Sequence, residues 1–130
     1  MNSMKVLVLD TNAIIRLEAN RLGEFRPEVL NAIEDADRLI IPALASLELQ
    51  YLETRKKVVQ SAARVMQTML VELRAQMSDA EAWRLSEIAA DLRWTMDPFD
   101  RLICADAIYH DATLITSDRL ILSNLPNALW

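Results

Sequence analysis

Glycine and cysteine are nearly missing from this 130-residue chain, which contains one of each. With Gly23 alone, the glycine-rich loops that cradle phosphates are excluded. With Cys104 alone, an internal disulfide and every cysteine-based metal motif are excluded. His110 is also single, so a histidine-ligated zinc hydrolase lacks its ligands. Near the end of its helix, His110 is expected to meet the helix dipole instead. No G-x-S-x-G run marks a nucleophilic serine. No apolar run approaches the length of a membrane span, and the apolar stretch before Asp10 is too short for a signal sequence. The expected location is cytoplasmic. Basic charge is short as well: 14 Lys and Arg face 19 Asp and Glu, a formal net charge of −5. That balance argues against a protein that holds nucleic acid through a basic patch.

What is present is apolar and regular. The hydrophobic fraction is 52%, broken by only four prolines, and the length suits a single domain, 1–130, with a real core. Residues 4–9 read as a short buried strand, with Met4 a candidate natural start and 1–3 dispensable. Asp10-Thr11-Asn12 supplies cap chemistry for a helix to about residue 19. Pro27 suits the first turn of a second helix over 27–37. A strand follows at 38–41, stopped by Pro42. Helices are expected at 43–56 and 58–70, the latter with Val58, Ala62, Val65, Met66 and Met69 as one stripe. A short strand falls within 70–77. Ser78-Asp79 caps a helix whose Ala82, Leu85, Ile88, Ala89 and Leu92 face inward. A helix at 98–110, a strand at 113–116, a short helix at 118–123 and an edge strand at 128–130 complete the chain. Alternation of this kind predicts an α/β fold, a three-layer α/β/α sandwich on a mostly parallel sheet.

Four acids then stand out: Asp10, Glu48, Asp100 and Asp118. Asp10 and Asp118 follow apolar strand runs, and Asp100 opens a helix behind Asp97-Pro98. In a parallel sheet the strands' carboxyl ends share one crevice. Carboxylates crowded there repel one another, and a hard divalent cation is the usual remedy. Three of the acids have a plain structural explanation as helix caps or first-turn residues. Glu48 has none, because it shares a helix face with Leu44 and Leu52. Asp106, about 120° round the helix from Asp100, is a candidate supporting group. Metal-dependent phosphodiester chemistry fits this set.

The motifs are Leu9-Asp10-Thr11-Asn12, Ser46-Leu47-Glu48-Leu49-Gln50-Tyr51-Leu52, Asp97-Pro98-Phe99-Asp100-Arg101-Leu102-Ile103 and Leu114-Ile115-Thr116-Ser117-Asp118-Arg119. In this order, with the ending Ala128-Leu129-Trp130, the chain resembles PIN-domain ribonucleases, and more narrowly VapC-type toxins of type II toxin–antitoxin pairs. The resemblance spans essentially the whole chain. It implies a PIN-like fold and an endoribonuclease that uses Mg²⁺ or Mn²⁺ and acts as a toxin on translation or growth. Asp10, Glu48, Asp100 and Asp118 would form the metal site, with contacts around it from Thr11, Asn12, Thr116 and Ser117. Asp97 would either orient the site or only cap its helix. Arg101 or Arg119 would steady a phosphate. The implied partners are an RNA substrate, a VapB-like antitoxin whose carboxyl-terminal arm covers the groove, and a second copy in a homodimer. Met96 stands where relatives often carry a basic residue, which removes one phosphate contact. A non-catalytic protein-binding module on the same fold, or a DNA-directed or structure-specific nuclease, would share these residues.

Overall fold

Apolar runs become strands where the sequence marks them. The computed structural model describes residues 4–130, so the reading of 1–3 as dispensable falls outside the described residues. Val6–Leu9 (β1), Arg38–Ile41 (β2), Gln76–Met77 (β3), Thr113–Ile115 (β4) and Ala128–Leu129 (β5) form one sheet in the order β3-β2-β1-β4-β5. Every pairing is parallel, with Leu7 opposite Leu39 on one side and Thr113 on the other. The strands at the sheet's centre are buried along most of their length, as expected when helices cover both faces.

Among the described residues seven α-helices connect the strands: α1 (Thr11–Glu18), α2 (Pro27–Asp35), α3 (Ala43–Thr54), α4 (Ala62–Gln67), α5 (Ala82–Ala89), α6 (Pro98–Tyr109) and α7 (Arg119–Asn124). Crossovers between parallel strands are right-handed. Steps from β1 to β2 and β2 to β3 therefore put α1 to α4 on one face. The return from β3 to β4, and the step to β5, put α5 to α7 on the other. The result is a three-layer α/β/α sandwich, the architecture expected from the sequence. Val8, Leu9, Ile40, Ile41, Leu114 and Ile115 lie fully buried at its centre, with Ile14, Leu49, Met69 and Ile103 supplied by the helices. Each such side chain contributes roughly 1.5–3 kcal/mol through burial.

Local chemistry sets the helix starts. The Asp10, Asp97 and Asp118 side chains each accept backbone N–H groups at the head of a helix. Pro27 and Pro98 occupy first-turn positions, where the missing N–H costs nothing.

Some expectations fail for local reasons. The helix expected at 58–70 begins only at Ala62, because α3 closes first. Lys57 N–H donates back to the Leu52 carbonyl at 2.8 Å and Lys56 adopts a left-handed φ of 55°. Ser61 then caps the new helix by accepting from Arg64 N–H, and the chain widens into a π turn over Thr68–Glu72. Ser78-Asp79 does not cap α5, which starts at Ala82. Ser78 Oγ instead accepts from Ala80 N–H at 3.1 Å and donates to Asp106 at 2.9 Å. Ala82 is exposed, while Leu85, Ala89 and Leu92 do face inward.

Candidate metal centre

The order of the strands creates the site. From β1 the chain steps one way to β2, and from β4 it steps the other way to β5. The crevice beyond the carboxyl ends of β1 and β4 lies between these diverging connections, where open α/β sheets bind ligands. Asp10 leaves β1 there, its N–H donating to the Ile115 carbonyl of β4 at 3.0 Å. Thr116, Ser117 and Asp118 leave β4 beside it.

One cavity of about 220 Å³ occupies this crevice, lined by Asp10, Thr11, Asn12, Ile15, Glu48, Leu52, Asp97, Asp100 and Asp118. All four proposed ligands reach it from separate parts of the chain. Glu48 arrives on the second turn of α3, with Leu52 one turn later on the same wall. Of the two apolar walls, Leu52 is the residue the sequence places on the face of Glu48, while Ile15 carries no such signal.

Behind the cavity, hydrogen bonds hold Asp10 in place. Its Oδ1 accepts from Thr11 N–H at 2.7 Å, while Oδ2 accepts from the Thr116 hydroxyl at 2.7 Å and Asn12 Nδ2 at 3.1 Å. Thr116 Oγ1 also accepts from Asp118 N–H at 3.0 Å, so one hydroxyl links two of the acids. Asn12 Oδ1 accepts from Ser117 N–H at 3.0 Å. Ser117 therefore contributes its backbone amide to this network. Asp97 both caps α6 and lines the cavity: its Oδ1 accepts from Phe99 N–H at 2.8 Å and Asp100 N–H at 3.3 Å.

Electrostatics show what the cavity lacks. Burial raises the pKa of Asp10, against hydrogen bonds from Thr116, Thr11 and Asn12 that favour its charge. Burial also raises Glu48, with repulsion from Asp10, Asp97 and Asp118 adding to it and the Thr11 hydroxyl working against it. Asp100 is pushed up to about 7, by burial first and then by Asp97, Asp10, Asp118 and Glu48. Among the described residues no Lys or Arg lines this cavity, and the buried Thr11 Oγ1 has no partner at hydrogen-bond geometry. Carboxylates with the Thr11 hydroxyl beside Glu48 are a set of hard oxygens, the kind that suits Mg²⁺ or Mn²⁺. Among the described residues, no three Asp, Glu, His or Cys side chains are already drawn together as ligands. The donor chemistry fits a divalent ion.

Other candidates lie elsewhere. Arg101 directs Nε to the Thr95 carbonyl at 2.8 Å and does not line the cavity. Arg119 is exposed at the start of α7 and also stands outside the lining. Thr95, missed from sequence, is buried and braces this corner, its hydroxyl accepting from Asp97 N–H at 3.2 Å. Asp106 does not line the cavity. It is fully buried among Ser78 and His110, whose Nδ1 lies 2.9 Å from Asp106 Oδ1. Its period on α6 turns it away from Asp100, and Ser78 provides an alternative partner at the end of β3. His110 Nδ1 does reach a helix carbonyl, that of Asp106, at 2.9 Å, but the buried carboxylate beside it was not foreseen.

Comparisons with known proteins agree with this architecture. The family model for the PIN domain matches residues 7–125. No curated protein sequence matches the chain. Among solved structures, VapBC2 from Rickettsia felis, bound to a DNA fragment from its promoter, is similar at a TM-score of 0.68. It is 20% identical over 95% of this chain and 96% of that one. VapBC from Salmonella typhimurium, bound to DNA, gives a TM-score of 0.61 at 18% identity, over 97% of this chain and 96% of that one. VapBC-1 from nontypeable Haemophilus influenzae gives 0.60 at 18% identity, over 96% of each chain. At these identities the likeness is one of fold.

Proposed function

The chain belongs to the PIN domain family, and from that premise we propose that it is a metal-dependent endoribonuclease, the VapC-type toxin of a toxin–antitoxin pair. One observation carries the reading: Asp10, Glu48, Asp100 and Asp118, far apart in sequence, line a single cavity at the sheet's switch point.

Asp10, Asp100 and Asp118 would hold Mg²⁺ or Mn²⁺, with Glu48 either joining them or accepting the proton of the attacking water. A bound divalent ion supplies water activation, polarisation of the phosphate and stabilisation of charge on the leaving oxygen. In the hydrolysis, the water oxygen forms a bond to phosphorus, the bond to the leaving ribose oxygen breaks, and that oxygen takes up a proton. Thr116 and Asn12 keep Asp10 aimed into the cavity through their hydrogen bonds. Asp97 would bias the site by repulsion while its cap fixes the first turn of α6. Arg119 would be the cation for a flanking phosphate, since Arg101 is already bonded to the Thr95 carbonyl.

The structural neighbours are toxin–antitoxin complexes, which supports a VapB-like antitoxin as partner. A homodimer and a cytoplasmic RNA substrate complete the proposal. Induced expression of wild type and Asp10→Asn, with genome-wide mapping of RNA ends, tests it. New RNA ends and growth arrest are expected for wild type alone; arrest that persists in Asp10→Asn contradicts a nuclease toxin.

A further inference from the structure

An aromatic pair, Tyr51 and Phe99, sits next in sequence to the cavity-lining Leu52 and Asp100, and the metal chemistry makes no use of it. Tyr51 lies three residues after Glu48 on α3, so both occupy neighbouring turns of one side. Phe99 precedes Asp100 in the first turn of α6. The two rings pack with centroids 6.2 Å apart and a tilt of 32°. Tyr51 remains 48% exposed, as does Leu47 one turn earlier at 49%. Arg55, one turn later, sets its guanidinium 5.7 Å from the Tyr51 ring centre and donates from Nη1 to Tyr51 Oη at 3.1 Å.

Charge decides what such a pair is for. The cavity gathers five carboxylates, counting Asp97, and the whole chain carries −5. A polyanion gains little here from phosphate neutralisation, which otherwise supplies most non-specific nucleic-acid affinity. Binding must draw on contacts that do not depend on charge, and base stacking on an exposed aromatic ring is one of these. Arg55 adds a cation at the same spot. A twofold contact between two copies centred on this pair would instead oppose Arg55 to Arg55 and one acidic cavity to another.

We propose that Tyr51 and Phe99 form a stacking platform for an unpaired RNA base beside the scissile phosphate, with Arg55 held against the adjoining phosphate. The proposal deepens the ribonuclease reading and rests on it.

Binding is read on Asp10→Asn protein, so that it does not depend on cleavage. The probe is a short unpaired RNA carrying 2-aminopurine at each position in turn. Quenching is expected at one or two adjacent positions, retained in Tyr51→Phe and lost in Tyr51→Ala. In the cleavage-competent protein, Tyr51→Ala should raise KM about tenfold with kcat nearly unchanged, whereas Tyr51→Phe stays within about threefold of wild type. Equal quenching and equal KM in folded Tyr51→Ala overturn the platform. So does a Tyr51→Ala variant that shifts from dimer to monomer in light scattering with RNA binding intact, since the pair then serves a second copy. Failure of wild type to cleave any RNA overturns the ribonuclease reading instead, while the quenching still decides the stacking.

Discussion

The Thr116 hydroxyl donates to Asp10 Oδ2 at 2.7 Å, joining the end of β4 to the end of β1. The same oxygen accepts from Asp118 N–H at 3.0 Å, so one side chain orders two acids from opposite sides of the switch point. Thr116→Val keeps the shape and removes both roles. Metal affinity should fall by about 10–100-fold, the usual cost of losing a ligand's hydrogen-bond partner, and Thr116→Ser should largely restore it. Calorimetric titration with Mn²⁺ measures both. An unchanged affinity in Thr116→Val would leave the hydroxyl a purely structural role.

Glu48 has no capping or pairing duty to explain its place in the cavity. Glu48→Gln should fold normally by circular dichroism, yet lose about a hundredfold or more in cleavage rate. Near-normal turnover in this variant would remove Glu48 from the chemistry.

Asp100 sets the pH dependence of the metal-free protein. Its pKa stands at about 7 in the fold against an ordinary 3.8. Between those values the native state holds a proton that the unfolded chain has released, so this group's contribution to stability falls as pH rises and levels off above about 7. Asp10 and Glu48, also raised, act in the same direction. The melting temperature of metal-free protein should drop between about pH 4 and pH 7. Asp100→Asn should flatten that drop, and Mg²⁺ should reverse it at the upper end. A melting temperature that climbs over this range, with Asp100→Asn indistinguishable from wild type, contradicts the electrostatics.

The second buried carboxylate offers a contrast. Asp106 Oδ1 is bonded to Ser78 and near His110, while Oδ2 has no partner. Ser78→Ala leaves that buried carboxyl further unsatisfied and should cost about 1–3 kcal/mol in urea unfolding. Cleavage by the folded fraction should not change. A large loss of kcat would tie this cluster to the active site after all.

Much of this arrangement was legible because local and global signals agree. The runs at Val6–Leu9 and Arg38–Ile41 are apolar and β-rich, and they become central strands. Asp10, Asp97 with Pro98, and Asp118 announce helix starts by the same chemistry that aims carboxylates into the crevice. Even the short edge strands Gln76–Met77 and Ala128–Leu129 fall inside their expected windows. What failed was set by partners distant in sequence. Ser78 looks like a helix cap until Asp106, 28 residues away, claims its hydroxyl. Asp106 looks like a site residue until the fold turns it towards β3. Glu53 accepts from Ala62 N–H at 2.8 Å, a contact created only when the turn after α3 folds back. Periodicity through Val58 and Ala62 could not reveal that break.

Cleavage of a labelled single-stranded RNA by purified protein, with Mg²⁺ and then with excess chelator, addresses the acidic centre most directly. Wild type should cut only while the ion is present, and Asp10→Asn should not cut at all. Cleavage that survives both chelation and Asp10→Asn would contradict a metal centre built from Asp10, Glu48, Asp100 and Asp118.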